Sequence, residues 1–257
     1  MIDWLKLLGR IDVTDTAPPT LQTLRQLQRQ ALLPLPFENL DIHLGRRIQL
    51  DHKAVYEKIV VGDRGGFCYE LNECFYQCLT ALGYDIDRLE GRVVIGGPGA
   101  PFDHQCALVR LDGVRWWVDI GFGDSTLVPL DLDDRAEQTD GRSLYRIDES
   151  DEFLEISRQF EAGKWTKVLQ LNLTPQSWEG FADRCQWQQN AADSAFVRKR
   201  VCTRATETGR ITLAGNMLKN VDADTVETAV EESDYAAVLA EHFGMTLDAP
   251  VWSRPQG

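Results

Sequence analysis

The sequence contains no apolar run that approaches the roughly 20 residues needed to cross a membrane as a helix. Its first residues, Met1-Ile2-Asp3-Trp4, place an acidic residue early and do not form a signal-peptide pattern. These two absences argue against a membrane-spanning segment and against export. We therefore expect a cytoplasmic protein with no membrane partner.

Basic residues are in the minority. The 257 residues include 27 Lys and Arg against 40 Asp and Glu, which gives a formal net charge of −13. Binding to nucleic acid needs a basic face that replaces the counterions of the phosphates. The charge balance therefore predicts that nucleic acid is not a partner.

The chain has six cysteines but no CxxC pair. Structural zinc sites usually take two such closely spaced ligand pairs, and disulfides are rare in cytoplasmic proteins. Cys74 and Cys78 could share one helix face, but no second pair of ligands follows them. We expect reduced thiols and no metal site.

Three regions with different periodicity make up the chain. Residues 1–83 repeat apolar side chains at helical spacing, with Thr20 and Asp51 as N-cap residues. Residues 84–190 alternate with the two-residue period of strands, and residues 191–257 mix strand patterns with one helix. This predicts an α+β fold: a helical bundle, an antiparallel sheet that could close as a barrel, and a smaller mixed region, all packed together.

Four elements in the C-terminal third of the chain are predicted with bounds. They are a helix from Thr174 to about Gln188, strands over 195–203 and 210–213, and a helix from a Ser233 cap to Gly244. Residues 36–40, with the sequence PFENL, are predicted to be an irregular connection.

Residues 64–72, with the sequence RGGFCYELN, carry the first chemical signal. Two glycines permit a tight turn, and helical spacing begins directly afterwards. Cys68 should therefore lie in the first turn of a helix, where free N–H groups and the helix dipole favour a thiolate. The alternative is a small buried apolar side chain, which is the usual role of an unreactive cysteine.

Asp112-Gly113 is a strong signal for a two-residue hairpin turn. If this pair forms the tip, residues whose numbers sum to 225 face each other across the two strands. Cys106 then lies opposite Asp119, and His104 is the diagonal neighbour of Asp119, with Cβ atoms about 7 Å apart. A histidine and an aspartate at a sheet end are often purely structural. Beside an activated cysteine they instead supply a base and the group that orients it.

Residues 64–72 closely resemble the RGGxCxExN motif of the arylamine N-acetyltransferases. Residues 36–40 resemble the PFEN segment of that family, and His104 with residues 117–123 (WVDIGFG) resembles its histidine strand and DVGFG motif. A weaker C-terminal pattern is similar to residues 194–197 and 209–213. The resemblance runs from residue 4 to the end of the chain, in the order and spacing of the family.

The resemblance implies a helical bundle, a central antiparallel β-barrel and a C-terminal α/β lid around a core like that of cysteine peptidases. It implies Cys68, His104 and Asp119 as a catalytic triad, acetyl-CoA as the acyl donor and no metal. The acceptor would be a small arylamine, arylhydrazine or N-hydroxyarylamine, acetylated in a ping-pong reaction through an acetyl-Cys68 thioester. Asp124 occupies a position that varies in the family, so the acceptor preference stays open.

Further residues are predicted around this triad. Phe37, Phe102 and Phe122 are candidates for an apolar slot that holds an aryl ring. Arg64 and Glu38 match positions that brace the loop before the nucleophile. Two groups are candidates for CoA binding: the glycines Gly121 and Gly123, and Arg198 with Lys199 from the basic cluster formed with Arg200 and Arg204. The other reading of this cluster is a solvated strand face.

Three other functions fit the same residues. A thiol hydrolase or transglutaminase-like enzyme would use the same order of Cys, His and Asp. An amide synthase that acts on a carrier-bound polyketide is a second alternative, and a non-catalytic CoA- or aryl-binding protein is a third. CoA release that needs an amine would argue against the hydrolase, and genomic neighbours would decide the amide synthase. An acetyl adduct on the wild type but not on Cys68→Ala would exclude the non-catalytic protein.

Overall fold

The computed structural model describes residues 2–14, 18–222 and 224–248. Its first part is helical, as predicted. Thr20 and Asp51 act as N-caps, because their side chains accept hydrogen bonds from Thr23 N at 3.2 Å and Ala54 N at 2.9 Å. The helices are α1 (Lys6–Arg10), α2 (Leu21–Leu32), α3 (Leu40–His43), α4 (His52–Tyr56), which continues as a π-helical turn (Glu57–Val61), and α5 (Cys68–Ala81).

An eight-stranded antiparallel sheet follows and curls into a nearly closed barrel, which confirms the predicted fold class. The strands are β2 (Asp85–Val93), β3 (His104–Leu111), β4 (Val114–Val118), β5 (Leu130–Asp131), β6 (Gln138–Thr139), β7 (Leu144–Ser150), β8 (Phe153–Glu161) and β9 (Lys164–Asn172). Their order in the sheet is β5-β4-β3-β2-β9-β8-β7-β6.

The third part is a five-stranded antiparallel sheet. Its strands are β1 (Phe37–Glu38), β10 (Val201–Ala205), β11 (Arg210–Ala214), β12 (Met217–Val221) and β13 (Thr225–Ala229), in the order β1-β10-β11-β12-β13. Strand β1 comes from the segment predicted to be irregular, because two residues are too few to show a strand period. Strands β12 and β13 had not been predicted either.

The strand predicted over 195–203 is wrong in its first half. Residues Ala195–Arg198 form the short helix α7, because the Ser194 side chain caps it by accepting a hydrogen bond from Phe196 N at 3.2 Å. The chain becomes extended at Lys199 and enters β10 two residues later. A short polar cap thus overrides the strand preference of the residues that follow it.

Two helices begin later than predicted. Helix α6 (Ala182–Asn190) follows a 3₁₀ turn (Trp178–Phe181), because Thr174 N donates to Asn172 Oδ1 and Gln176 N donates to a strand carbonyl. Helix α8 (Tyr235–Phe243) follows a 3₁₀ turn at Glu232–Asp234, so Ser233 is not its cap. It ends at Gly244 as predicted, with φ of 65°.

One large hydrophobic core joins the helical part to the barrel. It includes Leu24 and Phe75 from the helices, Val109 and Val118 from the barrel wall, and Phe181 beyond the barrel. A second core fills the barrel, and a third lies between α8 and the five-stranded sheet. The division at residues 83 and 190 stays a prediction. None of the helices in the described ranges is both long and apolar enough to cross a bilayer.

Candidate active site

Cys68 is the first residue of α5, as predicted, and only 3% of its surface is exposed. The preceding residue, Phe67, is the N-cap. The Glu70 side chain turns back and its Oε2 accepts a hydrogen bond from Phe67 N at 3.2 Å. This contact satisfies one of the free donors at the start of the helix and fixes the angle at which the chain enters it.

The two glycines before Phe67 allow the chain to touch the PFEN segment. A Cβ atom on Gly65 would lie 1.9 Å from the carbonyl oxygen of Pro36, so only glycine fits there. Gly66 forms an isolated bridge with Phe37, and Glu38 N donates to Gly66 O at 2.9 Å. The two motif segments thus form one backbone-paired unit beneath Cys68.

A buried cluster of five charges supports this unit. Arg64 binds Glu38 Oε1 through Nε at 3.0 Å and Nη2 at 2.6 Å, and its Nη2 also reaches Asp41 at 3.1 Å. Lys58 Nζ lies 2.8 Å from Asp41 Oδ2 and 2.8 Å from Glu70 Oε1. Arg64 and Glu38 were predicted to brace the loop before Cys68, and these are the contacts through which they would do so. Lys58 and Asp41 were missed, since nothing in their local sequence indicates that they meet.

Three carboxylates share two cations in this cluster, so one carboxylate lacks a full partner. Burial raises the pKa of Glu70 to about 7, against the attraction of Lys58. Burial also opposes the charge on Lys58, but Glu38, Glu70 and Asp41 outweigh it and raise the pKa of that amine. Glu70, which holds the N-cap of the Cys68 helix, is therefore the member that takes up a proton near neutral pH.

The predicted hairpin register is confirmed, because Leu111 pairs with Val114 and Ala107 pairs with Val118. The diagonal contact follows from it: His104 Nε2 lies 2.5 Å from Asp119 Oδ2. Nδ1 is consequently the ring nitrogen left for another partner.

Asn72 completes the support of Asp119 and was not predicted as a site residue. Its Nδ2 donates to Asp119 Oδ1 at 3.0 Å, and its Oδ1 accepts from Ile120 N at 2.9 Å. Gly121 N also donates to Asp119 Oδ1, at 2.8 Å. Asn72 lies four residues after Cys68 in α5 and therefore on the same helix face, which is the signal that could have identified it.

Cys68 and His104 both line a cavity of about 540 Å³. Phe37 and Phe122 also line it, and the Phe122 ring meets the His104 ring edge-on with centroids 5.4 Å apart. Other lining residues are Val93, Ile95, Asp103, Gly121, Asp124, Arg184, Trp187, Gln188, Asp193, Ser194, Ala195, Phe196 and Arg198.

Phe102 is not among the described residues that line this cavity. Its ring packs edge-on against Phe181, with centroids 5.3 Å apart, and its carbonyl oxygen accepts a hydrogen bond from Tyr69 at 2.7 Å. Neither Phe181 nor Tyr69 is among the described lining residues. Its predicted contact with an aryl ring therefore has no support from this geometry.

The helix start does favour the Cys68 thiolate, but burial acts against it. Burial raises the pKa of the Cys68 thiol well above its ordinary value. The backbone of Tyr69, at the start of the helix, and that of Gln105 lower this pKa without cancelling the effect of burial. Ionisation of Cys68 therefore depends on a proton acceptor in the cavity, and His104 lines that cavity.

The candidate CoA residues fall into different environments. Gly121 lies against the nucleophile, since a Cβ atom there would be 2.9 Å from the Cys68 Cα, whereas Gly123 (φ +84°) packs beside Phe37. Arg198 is exposed and lines the cavity. Lys199 is exposed but is not among the described lining residues.

The rest of the basic cluster is not a solvated strand face. Arg200 is 1% exposed, lies 2.5 Å from Glu232 Oε2 and stacks over the Tyr235 ring at 3.8 Å. Arg204 donates to the carbonyl oxygens of His242 at 2.7 Å and Leu33 at 3.1 Å. Both guanidinium groups hold α8 and the five-stranded sheet in place.

A family model described as N-acetyltransferase matches residues 20–252. The arylamine N-acetyltransferase of Escherichia coli is 32% identical over 249 residues, which cover 93% of this chain and 88% of that protein. The chain belongs to the arylamine N-acetyltransferase family. It is therefore an acyltransferase.

Solved structures of arylamine N-acetyltransferases have the same fold. The enzyme from Salmonella typhimurium superposes with a TM-score of 0.90 at 25% identity, covering 100% of this chain and 96% of that one. The enzyme from Mycobacterium marinum in complex with CoA gives a TM-score of 0.87 at 27% identity, covering 95% and 93%.

Proposed function

We propose that this arylamine N-acetyltransferase moves an acetyl group from acetyl-CoA to an aromatic amine, hydrazine or hydroxylamine through an acetyl thioester on Cys68. The observation that carries the proposal is the cavity lined by both Cys68 and the Asp119-bound His104. A relative from Mycobacterium marinum binds CoA in a solved structure of the same fold, which supports acetyl-CoA as the donor.

In the first half-reaction, His104 Nδ1 takes the proton of the Cys68 thiol. The sulfur then attacks the carbonyl carbon of the acetyl thioester, the bond to the CoA sulfur breaks, and His104 returns a proton to the departing CoA thiolate. Asp119 stabilises the charged imidazole throughout, through the contact at Nε2. One thioester replaces another, so the step needs no input of energy.

In the second half-reaction, the nitrogen of a neutral aromatic amine attacks the acetyl carbon on Cys68. His104 Nδ1 removes a proton from that nitrogen, and the bond between carbon and the Cys68 sulfur breaks. The sulfur recovers a proton from His104, so the enzyme returns to its starting state. Weak basicity suits an aromatic amine to this step, because it arrives unprotonated.

The aryl ring would lie between the aromatic side chains that line the cavity. Phe37, Phe122 and Phe196 line it, and Phe196 packs against Phe37 with ring centroids 5.9 Å apart. Trp187 and Ile95, 38% and 48% exposed, lie at the same cavity. An apolar lining of this kind selects a flat hydrophobic acceptor over a charged aliphatic amine.

Arg198 is our candidate for contact with the CoA phosphates, because it is an exposed cation on the cavity wall. Its neighbour Lys199 provides a matched control with the same charge outside the lining. Arg198→Glu should raise the KM for acetyl-CoA by more than about fivefold if one phosphate contact is lost. Equal changes in Arg198→Glu and Lys199→Glu would show a general charge effect instead.

The function is tested by incubating the pure protein with acetyl-CoA, with and without an aniline. Intact-mass analysis should detect one acetyl group on the wild type and none on Cys68→Ala, and the aniline should remove it as acetanilide. Sustained CoA release without an amine would indicate a hydrolase. Absence of any adduct, with binding of CoA retained, would indicate a non-catalytic protein. A panel of acceptors with acetyl-CoA and propionyl-CoA would then define the substrate.

A further inference from the structure

Behind the predicted triad lies Glu73, a carboxylate of α5 that is completely buried. Arg88 binds it through Nε at 2.6 Å and Nη2 at 2.8 Å, and Gln105 Nε2 donates to it at 3.1 Å. His52 Nε2 and Gln77 Nε2 lie 2.9 and 2.8 Å from its Oε1. Glu73 is thus a fixed acceptor whose charge is already balanced by Arg88.

Gln105, which follows His104 in β3, connects this acceptor to the reacting groups. Its carbonyl oxygen accepts a hydrogen bond from Asn72 Nδ2 at 2.5 Å. The same Asn72 nitrogen donates to Asp119. The backbone of Gln105 also lies near enough to the Cys68 sulfur to lower the pKa of that thiol. The main chain of one residue is therefore bonded to the residue that clamps Asp119 and lies beside the nucleophile.

The Gln105 side chain is held on one side only. It is fully buried, and within the described ranges its Oε1 has no hydrogen-bond partner. A buried amide oxygen without a partner costs about 1–3 kcal/mol, so this end of the side chain does not stabilise the fold. Its amide nitrogen, bound to Glu73, is the polar contact that ties the side chain to α5.

We propose that Gln105, tethered by Glu73, is a positioning residue: it holds its own main chain where it meets the Cys68 sulfur and Asn72. This inference rests on the proposed acyl transfer. Without the tether, strand β3 could shift relative to α5, the hydrogen bond between Asn72 and the Gln105 carbonyl would lengthen, and the main chain would move away from the Cys68 sulfur. A displacement of this kind affects the reaction rate more than substrate binding.

The test compares Gln105→Leu with Gln170→Leu. Gln170 Nε2 donates to Glu155 Oε1 at 2.9 Å in the barrel wall, so the control removes the same type of hydrogen bond away from the triad. We expect kcat of Gln105→Leu to fall about tenfold, while the KM for acetyl-CoA changes less than about twofold. The thermal midpoint should stay near that of the wild type, because leucine removes a buried unpaired oxygen.

A second readout does not depend on acetyl transfer. The rate of Cys68 alkylation by iodoacetamide should reach its midpoint at higher pH in Gln105→Leu than in the wild type, since the backbone of residue 105, which lowers the pKa of the thiol, would move away from the sulfur. Gln170→Leu should match the wild type. This measurement still tests the inference if the wild type forms no acetyl-Cys68, a result that would instead refute the proposed function.

Gln105→Asn covers the case in which leucine prevents folding. Its side chain is one methylene shorter and cannot reach Glu73, so it should show the same slower turnover and the same shift in alkylation. Wild-type kcat and an unchanged alkylation profile in either folded variant would overturn the inference. Loss of activity in proportion to loss of folded protein would likewise assign Gln105 to the structure alone.

Discussion

Asp119 Oδ2 lies 2.5 Å from His104 Nε2, and neither side chain is more than 3% exposed. The other carboxylate oxygen accepts hydrogen bonds from Asn72 and Gly121, so Asp119 cannot rotate without losing both. The contact therefore holds the imidazole with Nε2 towards the carboxylate and Nδ1 available as a base.

Asp119→Asn should abolish most of the activity without unfolding the protein. Asn72 and Gly121 both donate to one position, so the new amide must place its oxygen there and its NH₂ group against His104. The ring would then carry its proton on Nδ1, the wrong tautomer for a base. We expect acetyl-enzyme formation to slow by about 10³ to 10⁴, measured by rapid-quench release of CoA. A loss smaller than about tenfold would contradict this role for Asp119.

Glu70→Gln should change the pH dependence of stability. The pKa of Glu70 is raised from 4.5 to about 7 in the folded state, so the stabilisation from its proton is complete below pH 4.5 and is lost as pH rises through 7. Between pH 5 and pH 8, the free energy of unfolding of the wild type should therefore fall by about 2–3 kcal/mol relative to that of Glu70→Gln, measured by urea denaturation.

Glu155→Gln is the control for this experiment. The hydrogen bond to Lys167 holds the pKa of Glu155 below its usual value, so its stabilisation is already complete above pH 5. The difference in the free energy of unfolding between Glu155→Gln and the wild type should not change between pH 5 and pH 8. If the difference for Glu70→Gln is also constant, Glu70 is ionised throughout this range.

Arg64→Ala should destabilise the protein by about 3–5 kcal/mol, because it leaves Glu38 and Asp41 buried with less compensation. Arg64→Lys should recover only part of this loss, since one ammonium cannot reproduce the paired contacts of the guanidinium with Glu38. Arg110→Ala, which breaks a surface pair with Asp87, should cost less than about 1 kcal/mol. Chemical denaturation of the three variants measures these differences.

Gly121→Ala should slow acetyl-enzyme formation at least tenfold. The added Cβ would lie 2.6 Å from Asn72 Nδ2 and 2.9 Å from the Cys68 Cα, so the nucleophile or the clamp must move. Gly97→Ala meets nothing within 4 Å and should behave as the wild type. Equal rates of CoA release for the two variants would show that the chain around residue 121 can move without slowing the reaction.

The features that could be predicted depend on neighbours in the chain. Thr20 and Asp51 cap helices through residues three positions away, and the Asp112-Gly113 turn sets which residues of β3 and β4 face each other. The features that were missed depend on distant residues. Strand β1 exists only because β10, more than 160 residues later, pairs with it.

The order of the motifs, the helix that begins at Cys68 and the hairpin that joins His104 to Asp119 are encoded locally, through turn and cap chemistry. The ionisation of Cys68 and Glu70 is not. It depends on how far folding removes each group from water and on which charges, from elements far apart in the chain, are buried beside it. Only the packed structure sets those two quantities, because desolvation and Coulomb energy act through distance in space.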